Sequence, residues 1–338
     1  ERYSNVDYSY TSSNSAYSRN HWDNFFQETN NFIKKKNFKK IIEVGANDGY
    51  LINIFKKNKY KVLGVDASNF MAKLMKKKNI RSENLIFNST NSKLIKNKYG
   101  NQDVIIANNV FNHADKPSSF LKGVKNIISK NGIFIFEQPY FTKSIKEKKF
   151  DQIYHEHISY FTIKNIEKLL NFNNFKINKI QFNKYHGGSI RTYASLNESN
   201  LNKLNIKALI EKENKTGVNK LFFYKKFNYS IKNKKKIILK KIKNLKSQNY
   251  KICGIGAAAK ANTLLTYYNL NSKIVDFITD GSKYKINKFT PKTRIRILKD
   301  EELKKYNKIA CIILAWNISK LLKNKLKKIN KNIKFINL

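Results

Sequence analysis

The sequence predicts a two-domain α/β protein, each domain built on a parallel, doubly wound sheet. Three observations predict it. Short apolar strands alternate with helix-like segments between Lys40 and Glu137. The first strand runs into a glycine-bearing turn, Gly45-Ala46-Asn47-Asp48-Gly49. The same strand–turn–helix rhythm restarts at Tyr250, after a long lysine-rich stretch with helical patterning.

The elements follow in order. Residues 1–20 are rich in Tyr, Ser and Asn and carry no helical stripe, whereas Trp22 to about Lys36 reads as an amphipathic helix. Lys40-Ile41-Ile42-Glu43-Val44 is a short buried strand, and Tyr50 to Asn58 the helix after its turn. Lys61 to Asp66 is a second strand that ends on an acid, followed by a helix from Ser68 to Lys77. Leu85-Ile86-Phe87 is expected as the third strand, Asp103 to Ala107 as the fourth and Gly132 to Glu137 as the fifth, with a helix from Phe120 to Ser129 between the last two. A strand-like run, Arg191 to Leu196, closes the first domain, set at 1–197. Residues 198–249 are expected to form a helical bridge. The second, smaller α/β domain is set at 250–338, with strands at Lys251–Gly256, Ile274–Asp280 and Ile309–Leu314 and a helix from Ala257 to Tyr268.

Composition narrows the class. The apolar fraction, 41% of 338 residues, is enough for two buried cores. The net charge is +45, which by itself suggests a polyanionic partner. Only six of the 68 basic residues are arginine, and Asn is abundant while Pro and Gly are scarce. That pattern reads as a codon-composition bias, and no cluster of Arg with aromatic platforms marks a nucleic-acid surface. No nucleic acid or membrane partner is expected. Two distant cysteines, Cys253 and Cys311, give neither a disulfide framework nor zinc spacing. No stretch approaches the roughly 20 apolar residues of a membrane span. A reducing, cytoplasmic setting is the expectation.

The chemistry is concentrated in few residues. Of five histidines, two fall in Tyr154-His155-Glu156-His157 and a third opens His186-Gly187-Gly188-Ser189-Ile190-Arg191. Imidazole titrates near neutrality, so such a cluster reads as a proton-transfer site. A metal site is the competing reading, with His186 as a third ligand; none is assigned. In the first domain, Gly45 and Gly49 let a ligand approach the backbone beyond the strand ends, and Asp66 is placed to accept from a ribose diol. The turn has the pattern G-x-N-x-G, so the dinucleotide fingerprint is not met. Gly254-Ile255-Gly256-Ala257 opens a helix whose N-terminus can hold a diphosphate, with Lys260 one turn in, and Arg191 is a candidate anion fork.

An acid in strand one (Glu43), the glycine turn and an acid ending strand two together resemble the class I S-adenosylmethionine-dependent methyltransferases. The resemblance implies that Glu43, Gly45, Asn47, Gly49, Asp66 and Asn108 hold that cofactor. Asn109 and His113, after strand four, stand where such enzymes place acceptor-side residues. The runs Gln152–Phe161, His186–Arg191 and Gly254–Leu265 occur together with Tyr10-Thr11-Ser12-Ser13, Ala107–Phe111, Phe136–Tyr140 and Leu314–Asn317. Over nearly the whole chain, this set resembles the nucleotide-sugar C-methyltransferases, which methylate carbon 3 of a nucleotide-linked 4-keto-deoxysugar.

That resemblance implies a base-generated enolate, with His157 as base, Glu156 assisting it and Tyr154 near the keto oxygen. It implies acceptor contacts from Tyr10, Asn109, His113, His186, Arg191, Gly256 and Lys260, the last two in a domain that holds the nucleotide. A rival reading keeps the fold and moves the methyl to oxygen or nitrogen of another small molecule. Tyr154 and Glu156 point to the opposite side from His157 in an extended segment, so a turn is expected there. Members of the family usually begin with a zinc-binding module on four cysteines. Nothing here has that spacing, and the chain is expected to start just after it.

Overall fold

The computed structural model describes residues 11–197 and 205–336. They form two compact units. The first takes the described residues up to Phe141 together with Ile158–Thr216, and the second takes Thr142–His157 and the described residues from Gly217 onward.

In the first unit, α1 (Ala16–Lys35) precedes β1 (Lys40–Val44), α2 (Tyr50–Lys57), β2 (Lys61–Asp66), α3 (Asn69–Lys77) and β3 (Ser82–Asn84). Then come α4 (Asn91–Tyr99), β4 (Gln102–Asn108), α5 (Pro117–Ile127) and β5 (Ile128–Pro139). After α6 (Phe141–Lys146), which leads into the second unit, the chain returns through α7 (Ile163–Phe172), β6 (Lys176–Asn183), β7 (Ser189–Ser195) and α8 (Ile206–Asn214). The seven strands lie in the order β3-β2-β1-β4-β5-β7-β6. The first five are parallel, and β7 enters antiparallel between β5 and β6.

Both faces of this sheet are covered, which is why its central strands read as continuous apolar runs. One core gathers Ile42, Val44, Ile105, Phe111, Phe134 and Phe136 against α5 and α7. The other gathers Ile41, Ile106, Ile133 and Ile135 against Trp22, Phe25 and Phe26 of α1 and Phe55 of α2.

The structure differs from the expected elements in places that have a physical reason. Helix α1 starts six residues before Trp22, because the Ser15 side chain accepts from the Ser18 N–H at 3.1 Å and caps it. The third strand is Ser82–Asn84 and not Leu85–Phe87. There the apolar run continues past the strand, and Phe87 drops from the loop into the core. The sheet is not parallel throughout, because the alternating segment Lys176–Asn183 forms an antiparallel edge pair with β7.

In the second unit, α9 (Leu221–Ser247) is followed by β8 (Lys251–Ile255), α10 (Ala259–Tyr267), β9 (Phe277–Thr279), β10 (Ile297–Leu298), β11 (Ile309–Ile313), α11 (Ser319–Ile329) and β12 (Lys334–Ile336). The expected strand Ile274–Asp280 shrinks to Phe277–Thr279. The order is β10-β9-β8-β11-β12, all parallel. Helix α9 lays Ile231, Ile238, Ile242 and Leu245 onto one face, a stripe at helical spacing, while α8 belongs to the first unit. Both sheets therefore place their first strand between the second and the fourth, so each has a crevice at the carboxyl ends of its strands.

Among the described residues, no helix is long and apolar enough to cross a membrane. Nor do three or more His, Cys, Asp or Glu side chains gather as a metal site.

Candidate active site

In the first unit the crevice is built around the turn after β1. Gly45, Asn47 and Gly49 all have positive φ, at 68°, 52° and 72°. A Cβ on Gly45 would fall 2.1 Å from Cγ2 of Val110, so the turn lies flat against the segment after β4. The Asp66 carboxylate accepts the Asn47 N–H on one oxygen at 2.8 Å and the Ser68 N–H on the other at 2.9 Å. It thereby fixes the turn and keeps lone pairs for a further donor.

The segment before α1 closes over the same turn. The Asn47 side-chain oxygen accepts the Ser12 N–H at 2.8 Å, and the Asp48 carboxylate accepts the hydroxyls of Ser12 and Ser13. Trp22 ties the segment to α1 by donating to the Ser12 carbonyl at 3.2 Å. Tyr10 lies outside the described residues.

Three side chains on or just after β1 and β4 carry buried polar atoms with no hydrogen-bond partner: Oε2 of Glu43, both side-chain heteroatoms of Asn108, and Oδ1 of Asn109. A buried polar atom left unpaired costs about 1–3 kcal/mol, so such a cluster is expected where a ligand completes the bonding. Burial pushes the Glu43 pKa well up, the charges of Asp48 and Asp66 add to the rise, and a hydrogen bond from the Ile52 backbone opposes it. Burial likewise raises Asp66 against its two backbone donors. A ligand bearing a cation, a diol and amide-matching polar groups fits this donor and acceptor set.

Arg191 forks onto carboxylates of the protein itself. It is buried on β7, and its guanidinium meets the Glu137 carboxylate through Nε at 3.0 Å and a terminal nitrogen at 2.9 Å. Its other terminal nitrogen meets Glu28 at 2.6 Å, and the group stacks 4.1 Å from the Phe25 ring centre. Glu137 also receives Nε2 of His21 at 2.8 Å, and the His21 ring lies parallel to Tyr185 at 3.9 Å. Sequence reasoning missed His21 and Glu28, which carry no local motif. His186, next to Tyr185, adopts φ 49° and turns the chain into Gly187 and Gly188, while His113 closes a 3-10 turn over Phe111–His113.

In the second unit, Tyr154–His157 forms the expected turn, closed by the His157 N–H to the Tyr154 carbonyl at 3.0 Å. It brings the Tyr154 and His157 rings to 4.3 Å and lets the Tyr154 hydroxyl donate to Oε2 of Glu156 at 3.4 Å. His155 points to solvent, its side chain 75% exposed. Burial lowers the His157 pKa to about 4; the charge of Lys260 acts in the same direction and a Gln152 backbone hydrogen bond opposes them.

The turn is mounted on α10. Phe150 packs on Tyr267 and Tyr268, and the buried Asp151 accepts the Trp316 indole N–H at 2.5 Å. Lys260 sits 4.0 Å above the Trp316 ring centre and donates to Asn317 at 2.8 Å. Asp151 and Trp316 were not singled out from the sequence, although Trp316 lies in one of the matched runs. Gly256 has φ 88°, and a Cβ there would fall 2.6 Å from that of Ala315.

Residues 19–180 match a family model described as a methyltransferase domain, and residues 184–337 match one described as a C-methyltransferase C-terminal domain. The chain is thus similar in its first half to a methyltransferase domain and in its second half to the C-terminal domain of C-methyltransferases. Among curated relatives, this chain is similar to the C-methyltransferase NovU of Streptomyces niveus, 23% identical over 278 residues. The match covers 82% of this chain and 66% of NovU, so the chain spans just under two thirds of that relative's length. Among solved structures, the magnesium protoporphyrin IX methyltransferase of Synechocystis PCC 6803 aligns with TM-score 0.42 and 14% identity, over 52% of this chain and 82% of that one. The plantazolicin methyltransferase BpumL aligns with TM-score 0.42 and 14% identity, over 54% and 85%.

Proposed function

We propose that this chain transfers a methyl group from S-adenosylmethionine to carbon, and that its acceptor is a nucleotide-linked keto-deoxysugar activated as an enolate. The observation that carries the reading is the Tyr154–His157 turn. It presents an imidazole held neutral by burial, next to a tyrosine and a carboxyl group. Carbon is a poor nucleophile until a neighbouring ketone lets a base remove its proton, and a positioned base contributes about 10²–10⁴-fold.

In this reading His157 takes the α-proton, the Tyr154–Glu156 pair orients the ketone and its neighbouring hydroxyl, and Glu43, Asn47, Asp66 and Asn108 hold the methyl donor. When bound, S-adenosylmethionine supplies an electrophilic methyl on a sulfonium. His157 is neutral at any pH well above 4, so it is ready to accept a proton without prior deprotonation.

The test is incubation in D2O with thymidine- and guanosine-diphosphate-linked 4-keto-6-deoxyhexoses, with S-adenosylhomocysteine in place of the methyl donor. Deuterium is expected at the carbon next to the ketone with the parent protein and not with His157→Asn. Methyl transfer to such a sugar without exchange would remove the enolate. Transfer to oxygen or nitrogen would favour the rival chemistry.

A further inference from the structure

Lys260 was expected to hold a diphosphate at the start of α10. The groups around it argue for a different task. Just before α10 the backbone is already engaged within the protein: the Ala257 N–H donates to Asp280 at 2.7 Å, and Lys285 donates to the Ala257 carbonyl at 2.9 Å.

Lys260 instead shares a scaffold with the turn that carries the base. Its ammonium rests on Trp316, Trp316 is bonded to Asp151, and Asp151 lies three residues before Tyr154. Its charge is felt at His157. One N–H goes to Asn317, and the ring face takes part of the positive charge. An ammonium has three donors, so capacity remains for an incoming oxygen. Burial lowers the Lys260 pKa to about 8; the charge of Asp151 opposes this and that of Lys149 adds to it. A cation so weakly compensated gains most when a negative charge develops beside it.

We propose that Lys260 is a catalytic residue whose ammonium donates to the acceptor's carbonyl oxygen as that oxygen becomes an enolate. The proposal rests on the enolate reading above. In the first step the α C–H bond breaks and its proton goes to His157. The C–H pair becomes the carbon–carbon double bond, and the carbonyl π pair moves to oxygen, held by the Lys260 N–H. In the second, the pair returns through carbon to form the new carbon–methyl bond, and the methyl–sulfur pair stays on sulfur. Lys260 keeps its proton throughout, and His157 returns its proton to solvent.

The test compares the parent with Lys260→Met and Lys260→Arg in the full chain. The readouts are α-deuterium exchange at saturating keto sugar, kcat, and calorimetric affinity for the free nucleoside diphosphate. Lys260→Met is expected to lose 10²–10³-fold in exchange and in kcat, with nucleoside diphosphate affinity within threefold of the parent. Lys260→Arg, which keeps the cation and guards against a folding artefact, is expected to fall between them. Methylammonium added to Lys260→Met is expected to restore part of the exchange. Parental exchange in Lys260→Met, or a loss confined to nucleoside diphosphate affinity and KM, would overturn the proposal in favour of a phosphate anchor. A parent that transfers methyl without exchange would instead overturn the enolate reading, and the role of Lys260 with it.

Discussion

Arg191 and Glu137 face each other across β7 and β5 as a fully buried ion pair, joined through two guanidinium nitrogens at 2.9 and 3.0 Å. Burial alone would raise the Glu137 pKa; the hydrogen bond and charge of His21, with the charge of Arg191, outweigh it and leave the pKa lowered. Removing one partner strands the other charge in the core. Arg191→Leu is therefore expected to cost about 3–5 kcal/mol, read as a lower urea midpoint. The double variant Arg191→Leu/Glu137→Leu should recover much of that loss. A single variant as stable as the parent would mean that the pair is not closed in solution.

The carboxylate of Asp66 is already used twice within the fold, so its substitution has two separable effects. Asp66→Asn keeps an acceptor for one of the two amides and a polar group toward the crevice. Asp66→Ala removes both. S-adenosylhomocysteine affinity, measured by calorimetry, is expected to fall at least tenfold in Asp66→Ala and less in Asp66→Asn. Equal affinity in all three proteins would take Asp66 out of the cofactor site.

Glu43 gives a proton-linked prediction. Its pKa is raised well above the ordinary carboxylate range by burial and by Asp48 and Asp66, so it carries a proton to higher pH than an exposed glutamate does. A ligand cation docking against it favours the ionised form. Binding of S-adenosylmethionine is therefore expected to release protons and to tighten as pH rises through the Glu43 titration. Calorimetry in two buffers of different ionisation enthalpy measures the release directly. Glu43→Gln should abolish that portion, and an unchanged release in the variant would assign the proton elsewhere.

The sequence-based reading succeeds where local pattern and tertiary role agree, and fails where a partner is distant in sequence. The glycine turn, Asp66 and the parallel core strands were legible because apolar run length and turn chemistry are local signals. The Tyr154–His157 turn was legible from strand geometry, since three side chains cannot converge from an extended segment. The partners of Arg191 were not legible, because nothing near it in sequence announces Glu137, 54 residues away, or Glu28, 163 residues away. An arginine rare in a lysine-rich chain looks like a ligand-binding group and is equally the residue best suited to a buried bidentate pair. His21 was missed for the same reason. Nothing near Lys260 in the sequence announces its neighbour Trp316, 56 residues downstream.

His157 ties the candidate site to acid stability. Its folded pKa is about 4, below the 6.5 of an exposed histidine. Between those values the unfolded chain binds a proton that the folded chain does not, so stability rises with pH across that window. The His157 contribution is therefore complete above pH 6.5 and is lost as pH falls toward 4, by about 3 kcal/mol at full extent. The chain has two tryptophans, and Trp316 lies in the same unit as His157. In a Trp22→Phe background, fluorescence-monitored urea unfolding reports that unit alone. The loss of stability between pH 7.5 and 4.5 should be smaller by a few kcal/mol when His157 is replaced by Asn, because Asn does not titrate. An identical loss in both proteins would show that His157 is solvated in the native state, and its standing as a buried, neutral base would fall with it.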